Sequence, residues 1–243
     1  MIPSNPNTRV CVFCYSGDAH QVQLLLPSFL SHNCPVTIFS PEDAPVESLD
    51  IPEGADVTFR IGGKREYIGV QSIRRQELHF RMMLDFPEQF FFCNDADSLC
   101  LSPDLPAYLY KEPDTIWSNE IPDLMHERPV GHKLPRIALH PPWFFSRATI
   151  ERILGWSPYV DPDPITPVID HWLLQIAHPL GMPHKDFQHG GTSFPTENDE
   201  FHFGVMSGKV RYSGTVFVHT VKSARVLNRL LEDRAFYLKN YVG

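Results

Sequence analysis

Short runs of apolar and β-branched residues, each ending in polar or turn-forming residues, divide the first hundred positions of the chain. The runs lie at residues 9–14, 35–39, 56–61 and 89–93, and the first and last are apolar almost throughout. Such a run indicates a strand covered on both faces, as in the middle of an α/β sheet. We therefore predict four strands, with polar residues at the end of each.

Apolar residues recur at helical spacing between these runs. Residues 19–32 and residues 65–86 each carry such a stripe and are predicted to form helices. The stripe residues are Val22, Leu25, Leu26, Phe29 and Leu30 in the first helix and Leu78, Met82 and Phe86 in the second. Strands that alternate with helices predict β-α-β units, and therefore a parallel sheet with crossover helices.

The second half of the chain has shorter elements, separated by many of the 23 prolines. Helices are predicted at residues 105–111, 146–154, 168–177 and from 223 onward, and strands at 115–118, 136–140 and 215–219. The proline-rich stretches between them, such as residues 121–135 with His126 and His132, predict long, stiffened loops. Pro141 and Pro142 predict a turn after the second of these strands.

Length, charge and the apolar runs limit the class of protein. The 243 residues are enough for one α/β domain. The formal net charge of -8 argues against sequence-independent nucleic-acid binding, which needs lysine and arginine against phosphate. The longest apolar runs are too short to span a bilayer, and the first residues lack the basic start and apolar core of a signal peptide.

The cysteines favour a reducing cytoplasm as the location of the protein, because there are five, an odd number. Cys11 and Cys14 have the spacing of a C-x-x-C motif, but they fall in a predicted strand, where positions three apart point to opposite faces. We therefore expect small apolar residues there rather than a metal site or a redox pair.

Two carboxylates follow the predicted strand at 89–93. Asp95 and Asp97 lie two positions apart, just past the strand end, and ligand sites of open α/β sheets lie at the carboxyl ends of strands. Carboxylates held this close repel each other unless a positive charge lies between them. A hard divalent cation that keeps positions open for phosphate oxygens would supply that charge. The alternative is a turn in which the aspartates cap local N–H groups.

The stretch Phe-Phe-Phe-Cys-Asn-Asp-Ala-Asp-Ser-Leu at 90–99 resembles the Asp-x-Asp strand end of GT-A-fold glycosyltransferases. In that family the motif binds Mn²⁺ or Mg²⁺, which grips the diphosphate of a nucleotide sugar. The resemblance implies an α/β fold, a GT-A-like Rossmann-type sandwich with a mostly parallel central sheet flanked by helices. It also implies a single domain, with a nucleotide-binding half at 1–104 and an acceptor half and C-terminal helix at 105–243.

The same resemblance implies residues on the donor side. Tyr15, Ser16 and Asp18 follow the first predicted strand, where GT-A enzymes hold the base and ribose. A helix cap is the alternative for Asp18, because Asp is a favoured residue at that position. Ser118 lies at a polar strand end that could face the donor sugar.

Arg81 lies in a segment that resembles the Tyr-x-Arg-Leu segment of retaining family-eight glycosyltransferases, in which the arginine serves the donor site. The alternative for Arg81 is an exposed ion pair with Glu77 or Asp85, which would contribute little to stability. Gly190 and Gly191 form a predicted glycine-rich loop, and their lack of side chains could let backbone N–H groups approach a ligand.

Three residues of the second half complete the implied site. Asp170 lies in the first turn of a predicted helix, where it complements the helix dipole. GT-A enzymes place an acidic residue at a similar helix start, facing acceptor or donor hydroxyls. His219 and Lys222 match the histidine near the C-terminus that completes the metal site and the lysine of family eight that contacts the diphosphate.

The function implied is transfer of a sugar from a nucleotide-diphosphate sugar to a glycan or other hydroxyl-bearing acceptor, with Mn²⁺ or Mg²⁺. A sugar-nucleotide nucleotidyltransferase is one alternative, although the Gly-rich basic loop typical of those enzymes is missing after the first strand. A non-catalytic carbohydrate-binding module is another. A His/Asp metallohydrolase is disfavoured because the chain has no His-x-His-x-Asp or His-Glu-x-x-His spacing.

Overall fold

The chain folds around a central sheet of seven strands, with a second sheet of three short strands. A computed structural model describes residue 5 and residues 7–65, 69–100, 104–122, 137–161, 169–187, 191–193, 217–219 and 227–232. In chain order the strands are β1 Thr8–Phe13, β2 Val36–Ser40, β3 Val57–Ile61, β4 Phe90–Asp95, β5 Leu99–Cys100, β6 Ile116–Pro122, β7 Ile137–Ser146, β8 His184–Asp186, β9 Gly191–Ser193 and β10 Phe217–His219.

The central sheet has the strand order β3-β2-β1-β4-β7-β6-β8. Its neighbours pair in parallel except at β7, which is antiparallel to both β4 and β6. The predicted fold class, an α/β sandwich with a mostly parallel central sheet, is therefore confirmed. Because β1, β4 and β6 run in the same direction, their carboxyl ends lie at one edge of the sheet, which we call the carboxyl edge. The opposite edge is the amino edge.

Helices cover both faces of this sheet. They are α1 Ala19–Leu30, α2 Val70–Met83, α3 Tyr108–Lys111, α4 Arg147–Trp156 and α5 Ile169–Ala177, and residues 227–232 are also helical. Alternate residues of β1 and β4 enter two separate cores: Val10 and Phe92 pack on the α1 side, and Cys11 and Phe91 on the side of α2, α4 and α5. The unbroken apolar runs follow from this double coverage, since side chains of a strand alternate between faces.

The strand predicted at residues 136–140 is too short, because β7 continues through Pro141 and Pro142, where a turn was predicted. The register between β6 and β7 shifts between Trp117 and Asn119, and the two prolines lie opposite this irregularity. A proline has no N–H to donate, so a bulge in the ladder accommodates it at little cost. Proline content alone therefore misplaced the end of this strand.

Other predicted boundaries differ from the structure at their ends. The helix predicted at 65–86 begins only at Val70, after Gly69, whose φ of 126° is open mainly to glycine. The strand predicted at 115–118 continues to Pro122, so that Ser118 lies inside β6 and not at its end. Asp95 is likewise the last residue of β4 rather than a residue beyond it.

The second sheet has the order β5-β10-β9. Its first strand, β5, follows the Asp-x-Asp segment directly in the chain. β10 is antiparallel to β5, with Val218 opposite Leu99, and parallel to β9. Gly191, predicted to lie in a loop, is the first residue of β9. Within the described residues, no helix has the length and apolar character needed to cross a bilayer.

Candidate active site at the carboxyl edge

The carboxyl edge brings the Asp-x-Asp segment next to the end of β1. Phe13 is the pairing partner of Asp95, and the N–H of Ala96 donates to the carbonyl of Phe13 at 3.1 Å. The prediction that the aspartate pair lies at the carboxyl edge, beside the end of the first strand, is confirmed. The turn after β1 and the segment containing Asp97 therefore form neighbouring walls of one site.

Asp95 lies in an environment with excess negative charge. Its pKa is raised well above the ordinary value by burial, and the carboxylates of Asp97, Asp170 and Asp18 raise it further. Arg75 on α2 is the one cation among these causes, and it acts in the opposite direction. Among the described residues that shift the pKa of Asp95, carboxylates therefore outnumber cations by three to one.

Asp170, in the first turn of α5, faces this edge from the side of β7. Its side chain is 16% exposed, and its Oδ2 lies 3.5 Å from Nε2 of His140. Burial raises the pKa of Asp170, and His140 lowers it. Oδ1 of Asp170 is buried and has no hydrogen-bond partner among the residues that the structure describes. That oxygen is consequently available to accept a hydrogen bond from a ligand.

Asp18 lies at the start of α1 but does not cap it. Its Oδ2 accepts a hydrogen bond from the N–H of Tyr15 at 3.2 Å, which closes the turn after β1, and it makes no capping bond to the helix. Burial raises the pKa of Asp18 and the charge of Asp97 raises it further, whereas Arg65 lowers it. Asp18 therefore belongs electrostatically to the same acidic cluster as the Asp-x-Asp segment.

The four carboxylates come from three segments that meet at this edge, with Asp95 and Asp97 on one segment and Asp18 and Asp170 on the other two. Oxygen ligands of this kind suit Mg²⁺ or Mn²⁺. No group of three or more His, Cys, Asp or Glu side chains within the described part of the chain is placed to hold a metal together. Among the described residues, a shared cation would therefore have at most two such side chains as ligands.

Tyr15 and Arg65 form a stacked pair on the β1 side of the site. The guanidinium carbon of Arg65 lies 3.7 Å from the centre of the Tyr15 ring. A Cβ on Gly17 would approach the same ring to 2.4 Å, so Gly17 lies directly against Tyr15. Ser16 is exposed, and its N–H donates to the carbonyl of Ala44 at 2.8 Å.

Arg81, predicted to serve the donor, is not among the residues brought to the carboxyl edge. It is exposed and lies in the last turn of α2, at the end of the helix that leads into the start of β4. Glu77, one of its two predicted ion-pair partners, instead pairs with Arg74 at 2.6 Å. Arg75, six positions earlier in α2, is the arginine of this helix that interacts with Asp95.

Ser118 and Asn119 are buried in β6, and Asn119 is the pairing partner of His140 on β7. Oγ of Ser118 and Nδ2 of Asn119 have no hydrogen-bond partner within the described ranges. His140 did not stand out in the sequence, because a single polar residue in a strand carries no local pattern, whereas Asn119 belongs to the same predicted polar strand end as Ser118. His140 becomes a candidate because the structure places its Nε2 3.5 Å from Oδ2 of Asp170.

The C-terminal residues are placed in part. Because Val218 pairs with Leu99, the backbone of His219 lies beside the segment that follows Asp97. The side chain of His219, and the residues Gly190 and Lys222, lie outside the described residues, as do His126 and His132. Their predicted roles stay predictions.

No protein-family model matches this chain, and no curated protein matches it in sequence. The support for a function therefore comes from the residues at the carboxyl edge, their geometry and their charge.

Proposed function

We propose that the protein is a metal-dependent glycosyltransferase that moves a sugar from a nucleotide-diphosphate sugar to an acceptor hydroxyl. The observation that carries this proposal is the cluster of carboxylates at the carboxyl edge, where three carboxylates and one cation, among the described residues, act on Asp95. Burial and neighbouring carboxylates together raise the pKa of Asp95, an arrangement that costs stability unless a cation joins it. The Asp-x-Asp spacing and its position next to the end of β1 suit a nucleotide diphosphate bound through that cation.

Asp95 and Asp97 would hold Mn²⁺ or Mg²⁺, and His219 is the proposed further ligand. The bound cation supplies positive charge that stabilises the departing diphosphate. Lys222 is proposed to contact the same diphosphate, and Arg75 is a further candidate because it already offsets the charge of Asp95. On the β1 side, Tyr15, Ser16 and Asp18 would hold the nucleoside. These assignments keep residues 1–104 as the proposed nucleotide-binding half.

Asp170 is proposed to act on the acceptor. Burial raises its pKa, so its carboxylate is a stronger base than an exposed aspartate, and its buried Oδ1 has no hydrogen-bond partner among the described residues. In an inverting reaction, the acceptor hydroxyl would attack the sugar carbon while its proton passes to Oδ1 of Asp170. His140, 3.5 Å from Oδ2, would orient the carboxylate and stabilise its charge.

The cytoplasmic location also remains a proposal. All five cysteines are described by the structure and are free thiols. Free thiols are typical of proteins from a reducing compartment, and this supports the proposed location.

Thermal unfolding with candidate donors tests the proposed function. The wild-type protein would be heated with UDP-, GDP- and CMP-linked sugars, each with and without Mn²⁺. A ligand that binds only the folded protein at about a hundred times its Kd contributes about 2.7 kcal/mol, so Tm should rise by about 5 °C or more with one donor and Mn²⁺ together. As a control, Asp85→Asn removes an exposed carboxylate and should show the same rise in Tm.

Transfer activity provides the second readout of the same experiment. The donor that raises Tm should be consumed only with Mn²⁺ or Mg²⁺ and an acceptor, and the Asp85→Asn variant should behave like the wild type. A protein that no nucleotide sugar stabilises in either condition would not be a glycosyltransferase of this kind. Stabilisation by free sugars without metal would favour a carbohydrate-binding module instead.

A further inference from the structure

The guanidinium of Arg65 covers one face of the Tyr15 ring in the turn after β1, with its central carbon 3.7 Å from the ring centre. Gly17 lies against the same ring so closely that a Cβ there would be 2.4 Å from one of its atoms. An aromatic ligand therefore cannot stack on the face of Tyr15 that Arg65 covers while Arg65 keeps this position.

Arg65 is held in this position by its backbone and not only by the ring. Its N–H donates to Oδ1 of Asp43 at 2.6 Å, which ties the segment after β3 to the loop after β2. The N–H of Ser16 donates to the carbonyl of Ala44 in the same loop at 2.8 Å. Hydrogen bonds therefore connect the segments that carry Tyr15 and Arg65 through one shared loop, so the stacked pair is part of the folded edge.

We propose that the outer side of the Arg65 guanidinium, backed by the Tyr15 ring, is the surface on which the nucleobase of the donor stacks. This inference rests on the proposed function and makes Arg65 a binding residue for the base. Arg65 is exposed to solvent. A guanidinium plane stacks on aromatic rings and on nucleobases alike, whereas a lysine ammonium does neither in this way.

The position of the pair suits a nucleoside whose diphosphate reaches the acidic cluster. Tyr15 lies two positions beyond Phe13, the residue that pairs with Asp95. The carboxylate of Asp18 accepts a hydrogen bond from the N–H of Tyr15, and the charges of Arg65 and Asp97 both act on its pKa. A base on Arg65 would therefore have the Asp-x-Asp segment as its neighbour, where the cation and the diphosphate are proposed to bind.

Titration calorimetry with and without phosphate groups tests this role. UDP and GDP, in the presence of Mn²⁺, and the nucleosides uridine and guanosine would be titrated into the wild type and into Arg65→Lys. Stacking of a base contributes about 1–3 kcal/mol, or about 5-fold to 150-fold in affinity. Arg65→Lys keeps the positive charge but loses the planar guanidinium. It should therefore lower the affinity for the nucleoside and for the nucleoside diphosphate by the same factor, about tenfold.

Arg74→Lys is the matched control, since Arg74 is an exposed arginine of α2 whose guanidinium pairs with Glu77. It should bind every ligand as the wild type does. Arg65→Lys and Arg65→Gln should both keep the wild-type Tm without ligand, which shows that they fold. Because Tyr15 backs Arg65, Tyr15→Leu should also weaken binding, and the double variant Tyr15→Leu with Arg65→Lys should lose less than the product of the two single losses.

Three results would overturn the role of Arg65 as a base platform. Unchanged affinity of Arg65→Lys, with a loss only in Arg65→Gln and only for diphosphates, would make Arg65 a phosphate contact. Independent losses in Tyr15→Leu and Arg65→Lys would show that the two residues do not form one surface. A wild type that binds neither UDP nor GDP with Mn²⁺ would remove the proposed nucleotide site as well, and that outcome is distinct from the other two.

Discussion

The two edges of the central sheet carry buried charge in opposite ways. At the amino edge, Arg9 on β1 pairs with Glu88 at 2.9 Å, and their side chains are 6% and 10% exposed. Arg9 also donates to Oγ1 of Thr37 at 3.0 Å and lies 3.9 Å from the ring centre of Phe86. These two buried charges are therefore matched within the fold, which is the condition under which buried ions are tolerated.

At the carboxyl edge, the charges that act on Asp95 among the described residues are mostly of its own sign. Asp95 has Asp97, Asp170 and Asp18 as electrostatic neighbours and Arg75 as the opposing cation. An imbalance of this kind lowers the stability of the fold, and proteins tolerate it mainly where a bound ligand offsets it. The two edges therefore differ in charge pairing: the paired charges of the amino edge stabilise the sheet, and the carboxylates of the carboxyl edge are proposed to bind the donor.

The largest expected effect comes from breaking the matched pair. Arg9→Met leaves Glu88 buried without a partner, and this should lower the free energy of unfolding by about 3–5 kcal/mol in a denaturant titration. Replacing both residues, as Arg9→Met with Glu88→Leu, should recover most of that loss. If the double variant is as unstable as Arg9→Met alone, unpaired charge is not the cause.

A smaller effect on free energy, but a decisive one on binding, is expected at the other edge. Asp95→Ala and Asp97→Ala should each weaken Mn²⁺-dependent donor binding by at least about a hundredfold, about 2.7 kcal/mol, because each removes a proposed ligand of the cation. The variants should stay folded, since both side chains lie at or beyond the end of β4. Calorimetry measures the loss, and full metal-dependent binding by either variant would refute the assignment.

The smallest expected effect concerns the stability of the metal-free protein. The pKa of Asp95 is raised in the fold above its ordinary value of 3.8, so ionising it opposes folding, and that cost appears as the pH rises above this value. Asp95→Asn should therefore raise Tm by about 2–4 °C at pH 7 with a chelator present. The gain should disappear below about pH 3.8, where Asp95 is protonated in both states. A variant less stable than the wild type at pH 7 would indicate that Asp95 is satisfied without metal.

Local patterns in the sequence predicted the sheet and the location of Asp95 well. Strands buried on both faces leave an unbroken apolar run, and the carboxyl ends of parallel strands meet at one edge, so the proximity of Asp95 to Phe13 follows from the order of elements alone. β7 was harder, because its two prolines lie at an irregularity that depends on its pairing with β6.

The partners within the site could not be predicted from local patterns. Arg75, in the first half of α2, acts on Asp95, whereas Arg81 lies in the last turn of the helix, and the spacing of residues along the chain does not show which of the two reaches the carboxyl edge. His140 meets Asp170 only because β7 and α5 pack together. Such contacts between distant segments leave no trace in the spacing of residues along the chain.

Binding of Mn²⁺ itself tests whether the carboxylates at the carboxyl edge hold a cation. Free Mn²⁺ gives a sharp EPR signal that is lost on binding, so titration of the wild type and of Asp95→Asn, each with and without a nucleoside diphosphate, measures the cation itself. The wild type should take up Mn²⁺, more tightly with the diphosphate present, and Asp95→Asn should leave it free in both conditions. Equal uptake by the two proteins, or no uptake by the wild type with UDP or GDP, would contradict a cation site at Asp95.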